Sequence, residues 1–214
     1  MKILFNYVEE KDVKRDNLIM IFGLAGDPPH AGHIQAIKYL LSFPESKVKV
    51  VLSAAHAFNK KLSPFRKRKE WLDILFKESF TEKECARIEI SDIEEKILKE
   101  KPEGKVHSFD LVNHFTSLYS KDKVVLAFGP DNANDETLMH FKKWIQLKEH
   151  DIIVIPEMKI KEKTSRSTQI RYLLIDKKES ELKELIGENL ARNLLDWVAT
   201  KDGGEWLTQR KITV

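Results

Sequence analysis

The stretch Leu18-Ile19-Met20-Ile21-Phe22-Gly23-Leu24-Ala25-Gly26-Asp27-Pro28-Pro29-His30-Ala31-Gly32-His33 decides how this chain reads. Leu18 to Phe22 is a short apolar run stopped by Gly23, the pattern of a buried strand. From His33 to Leu41 the apolar Ile34, Ile37, Tyr39, Leu40 and Leu41 recur at helical spacing. A strand that passes through a glycine- and proline-rich turn straight into a helix is the first half of a βαβ unit.

The same alternation continues outward. Val48–Leu52 reads as a strand, and Pro64–Phe76 as a helix with Pro64 in its first turn and Trp71, Leu72, Ile74 and Leu75 inward. Ala86–Ile90 is a third strand. Ser108–Tyr119 reads as a helix with Ser108 as N-cap and a stripe of Leu111, Val112, Phe115 and Leu118. Val124–Phe128 is a strand closed by Gly129-Pro130. Asp135–Leu147 is helical, Ile152–Ile155 is a strand closed by Pro156, and Thr168–Ile175 and Leu190–Ala199 are helices. Strands apolar on both faces suit a parallel sheet covered on both sides by helices, an α/β class. Such sheets bind ligands beyond the carboxyl ends of their strands, which directs attention to the residues after Phe22, Leu52, Phe128 and Ile155. Ser91 to Lys105, charged and containing Pro102 and Gly104, reads as a solvated excursion. Residues 1–17 and 201–214 read as additions to a single domain whose core spans about 18–200.

Composition narrows the function classes. The 214 residues carry 37 basic and 34 acidic side chains, a net charge of +3, too balanced to point to a nucleic-acid partner. A few clustered cations can still serve an anionic small molecule. Cys85 is the single cysteine, which excludes a disulfide framework within the chain and a cysteine-rich metal site. The first residues are broken by charges from Glu9 to Asp16, unlike a secretory signal, and no apolar run approaches the length of a membrane span. A reducing, cytoplasmic setting is expected.

The residues at the first helix start carry a chemistry. A helix N-terminus offers N–H groups and partial positive charge, and so attracts phosphate. His30 and His33, three apart, can both face the same anion there, each donating a hydrogen bond, and a protonated ring would add charge. Gly32 between them permits close approach of a phosphate to the backbone. Together they suit stabilisation of a crowded phosphorus centre without a covalent step. Either histidine alone would be an ordinary turn residue; the setting of strand, Gly, Asp-Pro and His-x-Gly-His is what gives them weight. Zinc is the weaker reading, because no third ligand sits nearby at metal spacing.

A second segment, Lys163-Thr164-Ser165-Arg166-Ser167-Thr168-Gln169-Ile170-Arg171, follows the last strand and opens a helix. Ser167 and Thr168 are natural N-cap residues, and Arg171, one turn on, can return a planar guanidinium to the same oxygens. Alone this is a capped helix; paired with the histidines it reads as the other half of a phosphate clamp.

At this point the chain resembles a family. Phe22 to His33 is similar to the signature Gly-x-Phe-Asp-Pro-x-His-x-Gly-His of the nucleotidyltransferases, and most closely resembles the nicotinate (or nicotinamide) mononucleotide adenylyltransferases, with their Phe-Gly-Gly-Thr-Phe-Asp-Pro-Pro-His-x-Gly-His. Leu24, Ala25 and Gly26 depart from it, standing where the family has Gly, Thr and Phe. The closing motif Ser-Ser-Thr-x-Ile-Arg is matched at Ser167, Thr168, Ile170 and Arg171, with Arg166 in place of the first Ser.

The resemblance spans roughly residues 18 to 200 and implies a Rossmann-like, doubly wound α/β sheet. It implies transfer of an adenylyl group from ATP to a pyridine mononucleotide, nicotinate in the bacterial type, with Mg²⁺ accompanying ATP and no metal held by the protein itself. It assigns His30, His33 and Arg171 to catalysis, and Gly23, Gly32, Ser167 and Thr168 to ATP. Phe128-Gly129-Pro130-Asp131 resembles the family's Gly-Ala-Asp segment and would bring Asp131 to the ATP ribose. His107-Ser108-Phe109-Asp110 resembles its Tyr-Thr-Phe-Asp segment, and Trp144 its Lys-Trp element. Those matches place Ser108 and Trp144, together with Asp27 and Arg68, near the mononucleotide. Each has a plainer reading: a helix-start residue for Ser108, a core indole for Trp144, a turn for Asp131, a solvated basic face for Lys60 to Lys69. Other readings stay open on the residues: another phosphorylated acceptor such as phosphopantetheine, a cytidylyltransferase, a nucleotide sensor without turnover (motivated by Leu24 to Gly26), or a tRNA-synthetase-like core.

Overall fold

The computed structural model describes residues 17–55, 61–100, 104–129, 132, 141, 143–147, 149–157 and 166–209, with the main chain of 6–7. Its strands are β1 (Asn6–Tyr7), β2 (Leu18–Leu24), β3 (Ser46–Leu52), β4 (Ile88–Ser91), β5 (Lys123–Phe128) and β6 (Asp151–Val154). They form one sheet in the order β1-β6-β5-β2-β3-β4, and every pairing is parallel. From β2 the chain winds outward through β3 to β4, then crosses to β5 on the other side of β2 and continues to β6. The reversal falls between β2 and β5, where Phe22 is in register with Ala127. The carboxyl ends of these two strands therefore bound the crevice in which open α/β sheets take their ligands.

The doubly wound α/β expectation holds, and alternation along each strand is its cause. Leu18, Met20, Phe22, Val48, Val50, Leu52, Val125, Ala127 and Ile153 enter one buried cluster, while Ile21, Val51, Leu126, Phe128 and Ile152 enter another. The first cluster is covered by α1 (Ala31–Leu41), α2 (Phe65–Ser79), α7 (Ser167–Ile175), α8 (Glu179–Ile186), α9 (Glu188–Val198) and α10 (Lys201–Gln209). The second is covered by α4 (Ile93–Glu100), α5 (Ser108–Leu118) and α6 (Trp144–Leu147). The short α3 (Glu82–Cys85) carries a Thr81–Glu84 capping box and leads into β4. Among the described residues no helix is long and apolar enough to cross a membrane.

Two sequence expectations change, and a third is only partly described. Ser91–Lys105 contains α4 rather than being a solvated excursion throughout: Ile93, Ile97 and Leu98 pack onto the second cluster, and charge on the outer face had masked this stripe. Residues 201–209 form α10, whose Trp206 is buried in the first cluster. Most of the expected helix Asp135–Leu147 lies outside the described residues, and α6 is its described end.

Trp71 on α2 is fully buried, packs edge-on against Trp197 at 4.9 Å and donates its indole N–H to Asn193 Oδ1 at 2.9 Å. Trp71→Ala removes the ring and orphans the Asn193 oxygen. The expected cost is about 3–5 kcal/mol of stability, read from urea unfolding midpoints at unchanged slope.

Candidate active site

His30 is the N-cap residue of α1, with extended backbone. Its Nδ1 accepts the N–H of Gly32 at 3.1 Å, and Nδ1 of His33 accepts the N–H of His30 at 3.1 Å. The two rings lie 3.8 Å apart, tilted by 34°. An imidazole nitrogen that accepts an N–H carries no proton, so the proton of each neutral ring sits on Nε2. Burial drives His30 well below its ordinary pKa, with the neighbouring His33 adding to the effect, and burial pushes His33 down to about 4. Both rings are neutral near pH 7. Of the two contributions open to the pair from the sequence, the neutral one applies: it offers two Nε2–H donors and no charge.

The expectation of open amides at this helix start changes too. Gly32 N–H is taken by His30 Nδ1, and His33 N–H by His30 O at 2.9 Å. Two of the amides at this helix start are thus engaged, and the imidazoles present Nε2–H donors beside them. At Gly23, on the same edge, a Cβ would meet no described residue within 4 Å, so space opens among the described residues beside the end of β2.

The second motif meets the first directly. Ser167 Oγ donates to Pro28 O at 2.8 Å, and Arg171 Nη1 donates to Asp27 O at 2.7 Å. Arg171 Nη2 also donates to Thr168 Oγ1 at 2.9 Å. The N-cap of α7 is Arg166, not Ser167 or Thr168, and the Arg166 side chain makes no capping hydrogen bond. The start of α7 brings N-terminal amides and the positive end of a helix dipole, which suit an anion, to this edge. His30, His33, Ser167, Thr168 and Arg171 come together at the carboxyl edge of the sheet.

Asp27 and Arg68 lie beneath this surface rather than on it. The Asp27 carboxylate is 3% exposed; Oδ1 accepts from Ser63 Oγ at 2.6 Å and Ser63 N–H at 3.3 Å, and Oδ2 from Trp206 Nε1 at 3.4 Å. Arg68 is 1% exposed, and its guanidinium donates to the main-chain oxygens of Ser63, Ala25 and Ser53 at 2.8 to 2.9 Å. It binds the loops after β2 and β3 to the start of α2, a scaffold position. Glu94 of α4 accepts the N–H of Ala54 at 2.8 Å in the same buried layer, and burial raises its carboxyl to about 7. Ser63, Glu94 and Trp206 were missed by sequence reasoning. The only signals were a Ser-Pro before α2, the Ile93/Ile97 spacing, and Trp206-Leu207 following Gly203 at helical interval.

The remaining candidates are more scattered. Ser108 begins α5 but does not cap it; His107 is the N-cap, and its N–H donates to Asp110 Oδ2 at 2.9 Å. Trp144 begins α6 and packs against the second cluster. Asp131 lies outside the described residues, as do Lys60 and residues 161–165. Among the described residues, no group of three or more His, Cys, Asp or Glu could hold a metal ion.

Two titrations test these environments. In ¹⁵N spectra of the imidazoles, His30 and His33 should show a bare Nδ1 and a protonated Nε2 at neutral pH, with His33 titrating only near 4; a midpoint near 6.5 for either ring would contradict their burial. For Glu94 the folded state holds its proton more tightly than the unfolded chain, whose ordinary value is 4.5. Its contribution to stability is thus present below that value and lost as pH rises towards about 7. Stability of the native sequence relative to Glu94→Gln should fall across this range by up to about 1.4 kcal/mol per pH unit, measured by urea unfolding.

No family model matches the chain. A probable nicotinate-nucleotide adenylyltransferase of Thermotoga maritima is 30% identical over 153 residues, covering 69% of this chain and 66% of that protein. The chain thus spans just under two thirds of the length of that relative. A probable nicotinate-nucleotide adenylyltransferase of Sulfurimonas denitrificans is 31% identical over 167 residues, covering 72% of this chain and 83% of that protein. Among solved structures, the nicotinic acid mononucleotide adenylyltransferase of Plasmodium falciparum, complexed with NaAD, superposes with a TM-score of 0.62 at 18% identity, covering 85% of this chain and 96% of that one. That likeness establishes the shared fold, and the Sulfurimonas match, over most of both proteins, establishes more: the chain belongs to the nicotinate-nucleotide adenylyltransferase family.

Proposed function

We propose that this protein transfers the adenylyl group of ATP to nicotinate mononucleotide, giving the deamido-NAD dinucleotide and pyrophosphate. The observation that carries this reading is the junction of the two motifs: Arg171 and Ser167 grip the carbonyls of Asp27 and Pro28, beside the Nε2–H donors of His30 and His33. The 5′-phosphate of the mononucleotide attacks the α-phosphorus of ATP in line, the bond from that phosphorus to the β-bridging oxygen breaks, and pyrophosphate leaves. The nucleophile is already an oxyanion, so the side chains position and neutralise rather than abstract a proton.

In this scheme His30 and His33 donate to the oxygens of the α-phosphate. Arg171 and the first amides of α7, with Ser167 and Thr168, take the departing phosphates. Open space at Gly23 admits the nucleotide. Asp131 is assigned to the ATP ribose, and Ser108 and Trp144 to the mononucleotide. Asp27 and Arg68, occupied within the chain, hold the loops that carry the site. Mg²⁺ would arrive on the triphosphate with most of its water and would supply charge neutralisation there. The names of the relatives support nicotinate over nicotinamide. An exposed single Cys85 suits a reducing cytoplasm.

Pyrophosphate release from ATP with nicotinate mononucleotide, nicotinamide mononucleotide or phosphopantetheine in turn should be fastest with the first. His33→Ala should lower that rate by about a hundredfold or more with folding retained by circular dichroism. Undiminished release by the variant would overturn the assignment, and tight ATP binding without release by the native protein would favour a sensor.

A further inference from the structure

The C-terminal helix α10 is anchored at both its start and its middle. Thr200 Oγ1 donates to Trp197 O at 2.6 Å and accepts Gly203 N–H at 3.2 Å. A Cβ on Gly203 would lie 2.1 Å from the Trp197 carbonyl oxygen, so only glycine lets α10 approach the end of α9 this closely. One turn on, Trp206 is 6% exposed and packs 5.1 Å from Trp197 and 6.3 Å from Trp71. The three indoles are fixed in turn, because Trp71 donates to Asn193, and Asn193 Nδ2 donates to Glu70 at 2.9 Å.

From this anchored wall the Trp206 indole N–H reaches Asp27 Oδ2. Ser63 holds the other carboxylate oxygen, and the carbonyl of the same residue receives Arg171. Three segments, from α10, from the start of α2 and from α7, thus converge on one residue, three positions before His30. A displacement of about 1 Å in groups that orient a transfer can cost about a hundredfold in rate.

We propose that Trp206 is a positioning residue: through Asp27, α10 sets the placement of the His30–His33 loop and of Arg171. The inference rests on the adenylyl-transfer reading for its kinetic arm and is independent of it for its spectroscopic arm. Trp206→Phe keeps an aromatic ring in the wall and deletes the single N–H that Asp27 receives from it. The expected result is a fall in kcat of about tenfold, the size of one hydrogen bond to a charged group, with KM for ATP and mononucleotide changed less than about twofold. In an Asp27→Asn background the same substitution should add little, because the two changes break one contact. In ¹⁵N spectra of the protein, the Nε2 signals of His30 and His33 should move in Trp206→Phe, although the indole N–H bonds to Asp27 and not to either ring. Native kcat in Trp206→Phe, a fall in kcat that adds fully to that of Asp27→Asn, or imidazole signals superimposable on the native ones would each overturn the proposal. If the native protein forms no dinucleotide, the reaction is misassigned, and the imidazole signals still decide the role of Trp206.

Discussion

The hydrogen bond from Arg171 to the carbonyl of Asp27 closes a chain separation of 144 residues, and with the Ser167–Pro28 bond beside it the two halves of the site become one surface. Each partner stands at the end of a segment delivered by the sheet, Asp27 after β2 and Arg171 after β6. The bond forms in a sheet where β5 and β6 lie on one side of β2, and β3 and β4 on the other. The strand order thus serves the site as well as the core. A guanidinium suits the junction because it can satisfy a carbonyl and the Thr168 hydroxyl from two nitrogens in one plane.

Around that junction the electrostatics divide by depth. The desolvated imidazoles of His30 and His33 are neutral donors, fixed in one tautomer by main-chain N–H groups. Positive potential at this edge comes from Arg171 and the start of α7. Beneath them Arg68 sits within the fields of Asp27, Glu94 and Glu95, and its charge is spent on holding loops together. A buried cation with three carbonyl acceptors can fix a geometry that apolar packing would leave loose.

Much of this was legible in the amino-acid order, for reasons that separate the successes from the misses. β2, α1 and β5 were readable because their apolar spacing is local and uninterrupted. The histidine pair was readable because motif and secondary structure coincide at His30. The direction in which Asp27 and Arg68 point was not readable: burial of a charged side chain depends on partners such as Ser63 and Trp206 that lie 36 and 179 residues away. The protonation of His30 and His33 was hidden for a related reason, since it follows from which N–H each Nδ1 accepts and from desolvation. α4 and α10 escaped because charge and glycines outweighed the few apolar residues that turn inward, Ile93 and Ile97 in one and Trp206 in the other.

The opposed environments of these groups make folding a proton-exchange reaction. Between the range where the buried histidines would charge and the range where an unfolded histidine does, folding strips protons from His30 and His33, while Glu94 takes one up. In mildly acidic solution these three sites together release about one proton per molecule folded. The heat of folding measured there will therefore depend on the ionisation enthalpy of the buffer, and the slope of stability with pH will be gentler than two buried histidines alone would impose.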